Sequence, residues 1–334
     1  MNETAHAIQV YTAAMLPVSS GANFGDDLGI AADLVLDDLY MLSPAARPLR
    51  LDLHALENGH FRIAEGSGTG RPGATVVLDS AITLMDPRSQ AIEVLILVEV
   101  DAGGHVAQVY AMPLAPLAAK EEYRLVGIDR ENAPLRYAQV ACVSFTRGTR
   151  ITLATGEQRP VEELKLGDRV LTRDDGPQPI RWIGHHTVRA QGDFAPVMIT
   201  RGTLHNEHDL LVSPDHRLFV YQRSDELGAG RSEVLLKAAH LVNGESVFVQ
   251  EGGFVDYFQI LFDSHQIIFA EGIAAETLLI DPRTRSALPR EVAETLSSRL
   301  EGHASRSLGE FEVGERLLAR PDAAALIAKA TRGR

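Results

Sequence analysis

Between Ile151 and Val249 the chain breaks into short runs of three to five residues, rich in β-branched and aromatic side chains and separated by turn signals. They are Ile151-Thr-Leu153, Arg169-Val-Leu-Thr172, Ile180-Arg-Trp-Ile183, Val197-Met-Ile199, Leu210-Leu-Val212, Leu218-Phe-Val-Tyr221 and Glu245-Ser-Val-Phe-Val249. The punctuation includes Thr155-Gly-Glu157, Asp174-Asp-Gly-Pro177 and Asn243-Gly244, pairs and triplets that favour tight reversals. Val, Ile, Thr and aromatic residues fit a pleated, half-buried surface. This pattern alone predicts an all-β module.

The stretch before it reads the same way. Thr75–Asp79, Ile82–Met85, Ile92–Val100 and His105–Tyr110 carry strand signals, so residues 1–143 are expected to form a β-rich N-terminal domain. The glycine cluster Glu65–Gly73 lacks a following Lys-Ser/Thr and opens no helical pattern, so it reads as a hairpin loop rather than a phosphate cradle. Asp26-Asp27 and Asp37-Asp38 do not alternate as calcium-loop ligands do and are expected on the solvated surface. Beyond about Pro282 the character changes. Pro289 opens a stretch with Val292, Leu296 and Leu300 at helical spacing, and Pro321–Ala330 looks like a last short helix, so residues 282–334 are expected to be a helical tail.

The most informative chemistry lies at Ser144-Phe-Thr-Arg-Gly-Thr-Arg-Ile151, followed later by Ser213-Pro-Asp-His216. A hydroxyl at the head of a Gly-Thr turn can attack the carbonyl of the preceding residue, while a histidine protonates the amide nitrogen that leaves. The bond so attacked is Val143–Ser144.

These residues resemble the Hint family, the fold shared by inteins and hedgehog autoprocessing domains, and in particular its bacterial members. The opening block of that family is similar to Ser144, Phe145, Gly148, Thr149 and Ile151, and its continuation to Pro160–Leu171. Its Thr-x-x-His block is similar to Ser213-Pro-Asp-His216, with serine in place of threonine, and its closing block to Tyr257–Gly272, where His265 falls on the block's histidine. The resemblance implies a horseshoe of β-hairpins over residues 144–281, with Ser144, Ser213, His216 and His265 as site residues. Ser144 would be the nucleophile, with Cys142 as runner-up; His216 would donate a proton, Ser213 would orient the amide or bond the scissile carbonyl, and His265 would help resolve the product.

The departures narrow the activity. Serine stands where the family usually has cysteine, and a hydroxyl is far less acidic than a thiol near pKa 8.5. Glu276 and Thr277 stand where inteins carry the His-Asn pair, so release of the C-terminal bond by asparagine cyclisation is not expected. The resemblance therefore implies hedgehog-like N-to-O acyl shift and cleavage without full splicing: intramolecular autoprocessing rather than turnover. Its substrate would be the chain's own N-terminal segment, with water or an external nucleophile as acyl acceptor. The other reading is a weakened Hint domain that serves as a structural or interaction module. An ordinary hydrolase is disfavoured by the lack of a Gly-x-Ser-x-Gly elbow.

Twisting the amide by ~12° stores only about 1 kcal/mol, so proton donation and oxyanion stabilisation are expected to supply most of the acceleration. No cofactor or metal is expected: His205 and His208 have zinc-like spacing but no third ligand, and His185 and His186 read as surface residues. With a formal charge of -13, a nucleic-acid backbone is not an expected partner. The absence of an 18-residue apolar run argues against a membrane span, and Met1–His6 does not look like a signal peptide, leaving cytoplasmic residence and a leaderless export route both open.

Overall fold

The computed structural model describes residues 5–56, 58–222 and 230–288. The helices expected after Pro289 lie outside the described residues. The chain divides into two compact units, Met1–Gln139 and Val140–Arg334. Both are built almost wholly of antiparallel strands, so the all-β class holds, with Ala133–Ala141 the α-helix among the described residues.

In the first unit, Thr75–Met85 pairs with both Phe61–Ile63 and Ala91–Val100. From there Leu49–Ala55, His6–Thr12 and Val106–Pro113 complete a ring that closes back on Ala91–Val100, which leaves those strands without a free edge. Glu122–Asp129, Leu39–Met41 and Val18–Ser20 continue from Thr75–Met85 on its other side. A core cluster that joins these outer strands to the ring includes Leu84, Val94, Ile96, Tyr40 and Tyr123. The two strand signals expected at 75–79 and 82–85 are one strand with a bulge between Leu78 and Ser80. The bulge absorbs the polar Asp79-Ser80 step: Ser80 Oγ donates to Asp79 Oδ2, which also accepts the Ala31 N–H. Asp38 departs from the surface expectation. It is 1% exposed and its carboxylate accepts the Ala22 N–H at 2.6 Å.

The second unit packs two sheets around one core that includes Phe145, Ile151, Val170, Ile199, Val212, Leu218, Ile260 and Ile268. One sheet runs Trp182–Arg189, Phe254–Leu261, Phe145–Thr146, Leu210–Val212, Val197–Ile199, Val247–Val249. The other runs Gln158–Pro160, Arg150–Thr152, Ile267–Ala270, Ile273–Glu276, Arg217–Tyr221, Glu233–Lys237, with the hairpin of Arg169–Thr172 and Gly176–Pro179 attached to Ile267–Ala270. Three times the chain passes from the first sheet to the second: after Thr146, after Val212 and after Leu261. The first crossing turns on Gly148, whose φ of 87° is costly for a residue with a Cβ, and the Thr149 N–H donates to Thr146 O across it. The chemically active residues expected from sequence lie at or beside these three crossings.

Candidate functional site

Phe145–Thr146 is the shortest strand of its sheet and occupies a middle place in it. Phe145 pairs with Val212 on one side and Phe258 on the other, so Ser144 is held between two neighbouring strands and is 1% exposed. An extended residue points its N–H and its C=O toward the same side. For Ser144 that side is the crossing Ser213-Pro-Asp-His216. The Ser144 N–H donates to Ser213 Oγ at 3.0 Å, and its carbonyl accepts the Ser213 N–H at 3.0 Å. The same carbonyl lies 3.0 Å from His216 Nδ1. Since a carbonyl only accepts, Nδ1 carries the hydrogen and Nε2 the lone pair.

His216 is fully buried, with its ring against Phe145 at a centroid distance of 4.5 Å. Burial lowers its pKa to about 4, against smaller upward pulls from the Ser144 carbonyl and Glu276. The imidazole is therefore neutral at pH 7. Its Nε2 is buried without a regular hydrogen bond. The proton donor expected for the departing nitrogen thus rests on the carbonyl of the same residue, and Ser213 is the side chain on the nitrogen itself.

The Ser144 hydroxyl accepts a hydrogen bond of 2.7 Å from Gln259 Nε2. Its own proton has only the Cys142 carbonyl within reach, at 3.5 Å, and Ser213 Oγ stands 3.5 Å from that carbonyl too. Gln259 is a residue the sequence reading passed over. A lone amide in the otherwise apolar Tyr257–Phe262 run was the available signal, because a buried polar group needs a partner. Its neighbour across the sheet is Gly184. A Cβ there would lie 2.5 Å from Gln259 Oε1 and 2.2 Å from the Trp182 ring, so the missing side chain makes room for the amide. Gly184→Ala is expected to cost about 1–3 kcal/mol, as overpacked sites do, and to move Gln259 off Ser144. A urea midpoint unchanged from that of the parent chain would refute this.

Cys142 is buried with Leu261, Leu278 and Ile280, and burial, with Asp281 nearby, pushes its thiol up to about 12. A thiol so hard to ionise is a poor nucleophile. His265 pairs with Glu276 at 3.0 Å, and Glu276 also pairs with Arg217 at 3.3 Å; both Glu276 and His265 are buried. The structure thus brings Ser144, Ser213 and His216 into direct contact and pairs His265 with Glu276.

The remaining candidates have structural partners. His185 is exposed and stacked on Phe258, while His186 is half-buried, with its Nδ1 3.2 Å from Gln259 Nε2. His208 pairs with Glu271 at 2.9 Å, and no group of three metal-ligating side chains occurs among the described residues.

A family model described as Hint domain matches residues 143–282. The chain is similar to the crystal structure of the gp41-1 intein at 10% identity and a TM-score of 0.25, covering 40% of this chain and 97% of that one. It is likewise similar to the MchDnaB-1 intein structure at 13% identity and a TM-score of 0.26, covering 40% of this chain and 98% of that one. The chain matches no curated protein.

Proposed function

We propose that this chain cuts its own backbone at Val143–Ser144, a reading supported by the match of residues 143–282 to a Hint-domain model, the fold of self-processing proteins. Ser144 Oγ attacks the Val143 carbonyl carbon through a five-membered ring. A C–O ester bond forms, the C–N bond breaks, the hydroxyl gives up one proton and the freed nitrogen takes one up. Water or an added alcohol, amine or thiol then resolves the ester and separates residues 1–143 from the Hint domain at 144–281 and the tail that follows it. No helix among the described residues is long and apolar enough to cross a membrane.

The observation that carries this reading is the clamp on Ser144. Ser213 and His216 grip the nitrogen and the oxygen of one residue from one side, which sets both side chains against the bond to be cut. His216 is the general acid, and Ser213 keeps the nitrogen aimed at it. Gln259 fixes the hydroxyl rotamer. Glu276-Thr277 provides no asparagine for the second cut, so the process stops after the first.

Intact mass of the purified chain after incubation with hydroxylamine tests the proposal, the expected products being residues 1–143, as the hydroxamate, and 144–334. A chain that stays whole favours the second reading, a domain kept as a scaffold. That reading draws on the burial of Ser144 and on a hydroxyl that accepts from Gln259 and touches no base.

A further inference from the structure

The bond proposed for cleavage does not lie at the border between the two units. The second unit begins at Val140, so Cys142 and Val143, the two residues ahead of Ser144, already belong to it. Both are buried, Cys142 to 1% exposure. Its side chain sits in an apolar cluster with Leu261, Leu278, Ile280 and Leu288, against which Trp182 and Ala287 pack. Two parts of the chain build that cluster. Trp182 and Leu261 face each other across paired strands, whereas Leu278, Ile280, Ala287 and Leu288 come from the segment that follows the strand Ile273–Glu276. Polar contacts hold this segment in shape. The Leu278 N–H donates to Ile260 O at 3.1 Å, Thr284 Oγ1 donates to Leu279 O at 2.6 Å, and the Asp281 carboxylate accepts the Arg283 and Thr284 N–H groups. An apolar wall fixed in this way selects side chains by size.

The Cys142 carbonyl lies 3.5 Å from both Ser144 Oγ and Ser213 Oγ. A shift of Cys142 therefore moves the acyl group that Ser144 has to reach. On the reading that Val143–Ser144 is cut, we propose that residues 278–288 form the acyl-donor subsite: an apolar pocket that takes a small apolar side chain at position 142 and so presents the Val143 carbonyl to Ser144 Oγ. Leu278 and Ile280 act through Cys142, as positioning residues. This gives Cys142 a part in the reaction that needs no ionised thiol. The same grip keeps the acyl group in the site until the ester is resolved.

The test is a size swap in the full chain, read by intact mass as the rate of cleavage in hydroxylamine, under conditions where urea unfolding shows each variant folded. Cys142→Leu overfills the pocket and is expected to slow cleavage by about 10²-fold, the effect of a misplacement near ~1 Å. Leu278→Ala leaves a void beside Cys142 and is expected to slow cleavage by about tenfold. Combined, the two changes offset each other in volume, and the rate should return to within about threefold of the parent. A cluster that only stabilises the fold gives another pattern: folded variants that all cleave at the parent rate. Cys142→Leu cleaving like the parent, or a double variant no faster than the slower single one, overturns the subsite. Should Cys142→Leu fail to fold, Leu278→Ala decides, and a parent-like rate there overturns it. A parent chain that never cleaves removes the cleavage reading and the subsite together, whereas a parent that cleaves while the swap has no effect removes the subsite alone.

Discussion

Ser144→Ala is expected to leave the chain whole in hydroxylamine, under conditions where the unaltered chain separates into residues 1–143 and 144–334. The expected loss is complete, because no second nucleophile stands on the same carbonyl. Cys142, the only cysteine, is buried and its thiol is pushed up to about 12. At neutral pH that leaves thiolate at about one part in 10⁵, so Cys142→Ser should cleave like the parent. The fold should tolerate Ser144→Ala, since the Ser144 clamp runs through backbone atoms that alanine keeps. What is lost is one partner of Gln259, a cost of about 1–3 kcal/mol for an amide left short of a bond. Ser144→Cys is the informative reverse. A thiol ionises near pKa 8.5 and is intrinsically the better nucleophile, so this variant should cut faster than the parent. Cleavage that persists in Ser144→Ala, judged by intact mass, refutes the assignment.

Replacing His216 by glutamine is expected to slow cleavage by about 10²- to 10⁴-fold, the usual contribution of a positioned general acid. The same residue makes stability depend on pH, with a definite sign. In the folded chain its pKa falls to about 4, whereas an unfolded histidine titrates near 6.5. As pH drops below 6.5 the unfolded chain takes up a proton that the folded chain refuses, so stability falls until the folded pKa is reached. Across the whole window the loss amounts to about 3 kcal/mol, and about 2 kcal/mol of it is spent by pH 5. Acidification therefore speeds the reaction, by up to about tenfold per unit, while weakening the fold that performs it.

Asp193 works against this trend. Burial and the nearby Asp215 raise its carboxyl to about 6, so in the folded chain it gains its proton earlier and favours the folded state as pH falls. The two effects separate in a comparison of urea unfolding at pH 7 and pH 5 for the parent and His216→Gln chains. The parent should lose more stability on acidification than the variant. Equal losses would show that His216 is not held neutral by burial.

Much of this site was legible before any coordinates. Val197–Ile199, Leu210–Val212 and Arg169–Thr172 form strands where β-branched runs between turn signals place them. Ser144, Ser213 and His216 meet, as the resemblance of their blocks to the Hint family implies. Other features were misread for identifiable reasons. The run expected at Ile180–Ile183 is displaced to Trp182–Arg189, because this edge strand tolerates the polar His185–Arg189 stretch and Ile180 instead closes a turn with Gly167 and Asp168. Asp38 resembles a surface acid until the backbone of Ala22 is seen to fold over it. The helix at Ala133–Ala141 is short and bears few of the marks by which a helix announces itself.

Local chemistry along the chain was enough to determine the β class and the glycine turn at Gly148, because turn preference and side-chain type are properties of a few adjacent residues; the family resemblance, not local chemistry, marked the hydroxyl and imidazole as a pair. Tertiary structure alone decided that Gln259 holds the serine, that His216 rests on the carbonyl rather than the nitrogen of Ser144, and that Glu276 is shared by Arg217 and His265. Each of these depends on the register between strands far apart in sequence and on how deeply a charge is taken out of water. Neither quantity can be read from neighbours along the chain.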